Sequence, residues 1–378
     1  MIKQKTTFNS LLTYFVIVIA FVTIRMLSAF GLLTFLGESG QYIFNFVVQV
    51  LLLFGLSIFM FSGLQKQKVK TIFKFYGFKK ISWKAVLITF VIGIVVFFLN
   101  IFIANFFDVI LSLFGYRFSS SPAVTEYPIY LLFVNIIFTA VLPAVCEETA
   151  HRGMLLKGTS AFGQKWAIVL SAVLFGLMHM NIEQFFYATA IGLLAGYISM
   201  LCDSIYPAMI IHFMNNALSV YSGFAAFYKL PFAKGLSLIG NFLNNNFFLG
   251  LLFVLLIVVL LAWLLFFLVK ALFRETTVKT LASVQKEIFK ELAKNDYLSD
   301  LEQSKAELSG SAYVEKQVNM EELFVKKNID LGLMTELDEK LLDGREKFKP
   351  TKVTKILLIA TFALSTCVTI FTFIWGLL

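Results

Sequence analysis

At 378 residues, with 59% hydrophobic and only 15% charged side chains, the chain lies far from soluble globular averages of about 45–50% apolar and about 25% charged. That argues against a soluble enzyme, a disordered chain, a collagen and a disulfide scaffold. Long apolar runs and 44 Phe residues point instead to a polytopic membrane protein. The net charge of +9 comes largely from lysines flanking the apolar runs, so it reports membrane orientation and not a nucleic-acid partner.

In chain order, the apolar runs predict nine spans, near 11–36, 41–64, 85–114, 129–156, 166–182, 184–201, 205–223, 246–272 and 354–377. The first is read as a retained helix, because no short apolar core with a small-residue cleavage site follows Met1–Lys5. The loop after the second span carries Lys66, Lys68, Lys70, Lys74, Lys79, Lys80 and Lys84 and no acid, which places it in the cytoplasm. The N-terminus then lies inside and the 115–128 loop outside. The turn at 157–165, with Lys157 and Lys165, lies inside again. The expected fold class is an all-α polytopic membrane protein: about eight helices in the core, a cytoplasmic helical insert and a ninth C-terminal span. The corresponding division is 1–273, 274–352 and 353–378.

The insert differs in kind. Sixteen of the 23 acids and 14 of the 32 basic residues fall in 274–352. Leu281, Val284, Ile288 and Leu292 recur at helical spacing, and weaker helical patches follow near 320–327 and 333–342. A solvated helical insert explains these features, and a docking module for a cytoplasmic partner is the sharper alternative.

Ionisable and amide side chains inside spans are costly and call for a reason. Arg25 can snorkel or pair with a neighbour. Asn100 and Asn105 can join helices, and Gly192 with Gly196 forms a small-xxx-small packing pair. One cluster resists such readings. Pro143-Ala-Val-Cys-Glu147-Glu148-Thr-Ala-His151-Arg152 puts two adjacent carboxylates and an arginine in an apolar helix. Glu148 and Arg152 are i,i+4 and can pair, whereas Glu147 points about 100° away. The chain has three histidines: His151 on that helix, His179 on the next, and His212 on a third, where Asn216 follows on the same face. At 1.5 Å per residue, Glu147, His179, His212 and Asn216 fall in a band of about 12 Å of membrane depth.

Those groups suit hydrolysis of an acyl bond by water, with a peptide as the plausible substrate. Glu147 near His179 could hold and deprotonate the water. His212 and Asn216 could donate hydrogen bonds to the developing oxyanion. Glu148 and Arg152 would support the site. Cys146 abuts Glu147, but its apolar neighbours argue against a reactive thiol. No cofactor is needed on this reading. Zinc is the competing one: Glu147, His179 and His212 could make a two-histidine, one-carboxylate site, although no His-Glu-x-x-His helix is present.

The pattern Glu147-Glu148-x-x-x-Arg152, Phe175-x-x-x-His179 and His212-x-x-x-Asn216, on successive membrane helices, resembles the CAAX prenyl endopeptidase and bacteriocin-processing (CPBP, Abi) family of intramembrane proteases over roughly 128–223. The resemblance implies a glutamate-type endopeptidase with Glu147 as base, His179 as its water-holding partner and His212 with Asn216 as oxyanion hole. The apolar spans make it a multi-pass membrane protein, the Lys- and Phe-rich composition suits a bacterial plasma membrane, and the lipid bilayer and a peptide or protein substrate are the expected partners. The family also includes bacteriocin-immunity proteins and non-proteolytic scaffolds.

Overall fold

The apolar runs become helices whose ends are set by local signals. The computed structural model describes residues 2–32, 37, 40–117, 126–245, 247–303 and 350–377. In chain order the helices are α1 (Ile2–Ala29), α2 (Gly40–Gln65), α3 (Val69–Tyr76), α4 (Trp83–Leu113), α5 (Ile129–Leu156) and α6 (Gln164–Met178). They continue as α7 (Ile182–Cys202), α8 (Tyr206–Phe227), α9 (Pro231–Asn245), α10 (Phe247–Gln303) and α11 (Lys352–Leu377). Among the described residues there is no strand. The Ser82 hydroxyl caps α4 by accepting from the Ala85 N–H at 3.0 Å, and Asn181 caps α7 by accepting from the Glu183 N–H at 2.8 Å. Pro207 occupies the first turn of α8, where its missing N–H costs nothing.

The chain is an all-α polytopic membrane protein. Seven helices are long and apolar enough to cross a bilayer: α1, α2, α4, α5, α7, the Phe248–Thr276 part of α10, and α11. The other two expected spans are present as helices of a different character. α6 has 15 residues, about 22 Å of helix against a hydrocarbon core of about 30 Å. α8 has 22 residues but carries His212, Asn215 and Asn216.

Several boundaries differ from expectation. α1 begins at Ile2, not near residue 11, because its polar first turns bond neighbouring helix ends. Thr7 donates to the Gly158 carbonyl at 2.9 Å, Ser10 to Met154 at 2.9 Å, and Asn9 to Leu64 at 3.1 Å. α6 stops before His179, where the chain reverses through Met180 at φ 50°. Two helices outside the apolar pattern, α3 and α9, were not expected. Asn105 bonds the Ile101 carbonyl of its own helix at 2.7 Å, and among the described residues no hydrogen bond takes it to another helix. Arg25 lies over the Phe21 ring, 5.9 Å from its centroid.

The chain forms two compact units, Met1–Leu272 with Pro350–Leu378, and Phe273–Lys349. In the second, the described backbone is helical to Gln303. The Leu281–Leu292 side chains and the patches at 320–327 and 333–342 lie outside the described residues. In the first unit, Leu11, Tyr14, Phe61, Tyr76, Met154 and Leu174 form a core shared by α1, α2, α3, α5 and α6. A second cluster joins α4, α7 and α8 through Ile92, Ile198 and Ile211. Gly192 and Gly196 bring α7 against α6: a Cβ at Gly192 would lie 3.0 Å from the Ala172 Cα, and one at Gly196 3.3 Å from the Ile168 side chain.

At the lysine-rich end, Asp203 occupies a left-handed turn (φ 44°) and holds two cations. Lys157 Nζ stands 2.6 Å from its Oδ1, and Lys79 pairs with Oδ2. Ser204 donates to the Lys79 carbonyl at 2.6 Å, and the Ile205 N–H to Gly77 at 2.9 Å. This clamp ties the α3–α4 loop and the end of α5 to the start of α8. Burial alone would raise the Asp203 carboxyl, but Lys157 and Lys79 outweigh it and hold it below the usual carboxylate range.

Two outcomes follow. Gly176→Ala should lower the thermal midpoint in detergent by several degrees, about 1–3 kcal/mol. Its Cβ would sit 2.1 Å from Thr189 Oγ1 and 2.8 Å from the Phe185 carbonyl; an unchanged midpoint would refute this packing. Asp203→Asn should cost about 1 kcal/mol or less, since the carboxylate is half exposed. A lowered folded-state value stabilises above the unfolded value of about 3.9 and is lost as pH falls through the folded one. Wild type and variant should therefore differ at pH 7 and converge below about pH 4.

Candidate active site

The site is built where α5 departs from regular winding. Ile136–Val141 and Thr149–Leu156 are π-helical, and between them lies an α-helical turn, Leu142–Glu148. Such wide turns are rare and often mark functional positions. Pro143 has no N–H, so the Thr139 carbonyl four residues earlier lacks its ordinary α-helical donor. The Asn216 amide fills that place, donating to Thr139 at 2.9 Å. Asn215 donates to Asn216 Oδ1 at 3.1 Å, and Asn100 to Asn215 Oδ1 at 3.3 Å. An amide relay thus joins α4, α8 and α5. The expected helix-joining role of Asn100 is met.

One turn away the charged groups meet. Arg152 Nη1 donates to Glu148 Oε1 at 2.8 Å, along the i,i+4 face read from the sequence. His212 Nδ1 lies 2.8 Å from the same oxygen. A carboxylate accepts only, so Nδ1 carries a proton, which directs Nε2 elsewhere. That nitrogen faces Glu147, with Oε2 at 3.9 Å. Glu147 Oε1 accepts from Gln49 Nε2 of α2 at 2.7 Å. Glu148 and Arg152 are at most 1% exposed, and Glu147 and His212 are 8% and 5% exposed. Uncompensated charges at such burial would be very costly, so the pairing of Glu148 with both Arg152 and His212 is what permits the cluster.

Phe175 is the hub. Its ring receives His151, His179 and His212 edge-on, with centroids 5.0, 5.2 and 5.6 Å away. The Arg152 guanidinium carbon lies 4.3 Å from its centroid. This contact covers a cation whose Nε and Nη2 find no hydrogen-bond partner among the described residues. His179 ends α6, half-buried, within electrostatic reach of Glu147 and His212. Among the described residues no hydrogen bond joins it to Glu147. His151 is fully buried and serves packing: Nδ1 lies 2.8 Å from the Glu147 carbonyl, and Tyr14 Oη lies 3.0 Å from Nε2. Tyr14 also reaches the Leu174 carbonyl at 3.0 Å.

The sequence-predicted residues therefore fall in three groups. Glu147, Glu148, Arg152 and His212 form one buried cluster. His179 adjoins it through Phe175. Asn216 lies one turn further along α8, with one N–H committed to Thr139. On the zinc alternative, Glu148 takes only Nδ1 of His212 and leaves Nε2 for a ligand, but among the described residues no three His, Cys, Asp or Glu side chains are grouped to hold a metal ion. Reading the sequence missed Gln49, Phe175 as a hub, and Tyr14. Gln49 carried a usable signal, a lone amide in the apolar run of α2. Along the same α5–α8 seam runs an apolar cavity of about 580 Å³, lined by Val141, Ala144, Val145, Met209, Ile210 and Phe213, with Lys80 and Tyr206 among its other walls.

Residues 129–218 match the family model for Type II CAAX prenyl endopeptidase Rce1-like proteins. No curated protein and no solved structure matches the chain. The matched segment runs from the start of α5 into α8 and contains Glu147, Glu148, Arg152, Phe175, His179, His212 and Asn216. Over that segment, under a quarter of the chain, the protein is similar to the type II CAAX prenyl endopeptidase Rce1-like family.

Proposed function

We propose that the protein is an intramembrane endopeptidase that hydrolyses a peptide bond in a membrane-associated peptide or protein, with Glu147 as general base. The observation that carries this reading is the α5–α8 seam. Glu147 Oε2 stands 3.9 Å from His212 Nε2, while Glu148 occupies the other imidazole nitrogen and Arg152 offsets its charge. Two carboxylates and one guanidinium leave one net negative charge, which a proton on His212 Nε2 would bring to zero.

In this mechanism a water held by Glu147 and His179 gives a proton to Glu147 as its oxygen attacks the scissile carbonyl carbon. Negative charge develops on the carbonyl oxygen. His212 Nε2–H and the second N–H of Asn216 Nδ2 stabilise it. The C–N bond then breaks, and Glu147 returns the proton to the leaving amine. Glu148 and Arg152 position His212 and do not touch the substrate. The apolar cavity beside the seam would take the hydrophobic part of a substrate arriving from the bilayer.

The lysine-rich end faces the cytoplasm on this reading, so the clamp at Asp203 and the turn at Lys157 are cytoplasmic, as is the N-terminus. The chain resides in a bacterial plasma membrane. Its substrate is a leader peptide, pheromone or bacteriocin. The 274–352 segment is a cytoplasmic helical insert between the core and the C-terminal helix.

Membranes carrying Glu147→Gln, His179→Ala or His212→Ala should release substrate peptides at least about 10²-fold more slowly than wild type, with the protein accumulating normally. Mass spectrometry of released peptides measures this. Wild-type cleavage by Glu147→Gln would overturn the mechanism. Full biological activity of that variant without any cleavage would assign the protein to the scaffold or immunity class.

A further inference from the structure

Gln49 lies in α2, outside the segment that carries the family match. It sits on the π-helical stretch Val47–Leu56 and is 7% exposed. The one hydrogen bond its amide makes among the described residues runs from Nε2 to Glu147 Oε1 at 2.7 Å. Its Oε1 is buried and has no partner among the described residues. Because a carboxylate only accepts, the NH₂ end of the amide must face Glu147. Oε1 is bonded to the same carbon as the Nε2 that holds Glu147. A buried amide with one end on an acid and the other vacant is unusual in a folded core, where such acceptors are nearly always satisfied.

We infer that Gln49 is a positioning residue of the active site. It fixes the rotamer of Glu147 by binding Oε1, so that Oε2 is the oxygen presented to His212 and to the attacking water. Its Oε1 receives the water's second hydrogen. A water serving a general base has two hydrogens. One goes to Glu147 Oε2, and the other needs an acceptor for the lone pair to aim at the scissile carbon. In this mechanism His212 donates through Nε2 to the oxyanion, and His179 holds the water by donating to its oxygen, so neither serves as that acceptor. Gln49 Oε1 is a buried, vacant acceptor beside Glu147. The wide turn that holds Gln49 serves the site in the same way as the two in α5, by displacing a side chain from the regular helical register. A fourth helix, α2, thus contributes to the chemistry beside α5, α6 and α8. This inference rests on Glu147 being the general base.

Two variants of the full-length protein in detergent test it, with wild type and Glu147→Gln run alongside. Gln49→Met keeps length and bulk but has no donor or acceptor. It should lower kcat by about 10-fold or more, with KM within about 2-fold of wild type and a thermal midpoint within a few degrees. Gln49→Glu keeps the shape and sets a second carboxyl against Glu147. Two carboxyls in contact share one proton, and while it is shared the introduced group can still donate. When that proton leaves, the donor is lost and like charges repel. This variant should therefore show an alkaline limb in kcat that wild type lacks.

Wild-type kcat in Gln49→Met, or a wild-type pH profile in Gln49→Glu, would overturn the inference while leaving Glu147 as base intact. Loss of folding in both variants would make Gln49 a structural residue and overturn it equally. Cleavage by Glu147→Gln at the wild-type rate would instead remove the reading on which the inference rests.

Discussion

Everything in the site depends on one carboxylate oxygen. Glu148 Oε1 accepts from Arg152 on its own helix and from His212 on α8, each at 2.8 Å. The first bond is local and follows from i,i+4 spacing. The second joins two helices 64 residues apart in sequence. In a medium where an unpaired charge is prohibitive, neither helix can slide or rotate without breaking a charged contact. The same bonds fix His212 so that its free nitrogen faces Glu147, the carboxylate that local pairing leaves over.

The register that makes this possible is set twice. Nine residues separate Lys157 from Glu148, and nine separate Asp203 from His212. If both stretches were ideal helix, each would rise about 13.5 Å. The Lys157–Asp203 pair at the lysine-rich end and the Glu148–His212 pair in the interior act as two pins between α5 and the start and middle of α8. Pro143 and the π-helical turns on either side of Leu142–Glu148 adapt α5 between and beyond these pins, and the Asn216 amide satisfies the carbonyl that Pro143 leaves open. Phe175 fills the centre, in T-shaped contact with three imidazoles and beneath a guanidinium.

Much of this was legible in the sequence, for physical reasons. The α5 boundaries agree with the apolar run because no charged residue interrupts it before Glu147. The Glu148–Arg152 pair followed from helical spacing alone. The convergence of Glu147 and His212 followed from counting residues to the turn at Cys202–Tyr206. What escaped depends on tertiary partners. The first turns of α1 look polar until Thr7, Asn9 and Ser10 are seen to bond carbonyls at the ends of α5 and α2. Helix α3 is too short and too basic for an apolar window, and it is held by Tyr76, which packs on Gly153 and bonds the Ser57 carbonyl. Gln49 carries no motif around it, and only the fold shows that it touches Glu147. The role of Asn216 divides: the sequence suggests a donor to substrate, and the structure commits one of its two N–H groups to the backbone.

A double-mutant cycle on Glu148 and His212, reading thermal stability and peptide release together, tests the central interaction most directly. If the two side chains share one buried charged contact, Glu148→Gln and His212→Gln should each be severe. The double variant should then fall short of their sum by about 1–3 kcal/mol in stability, with cleavage no slower than in the worse single variant. Additive losses in both readouts would mean that the two residues act independently and that no such contact holds the site together.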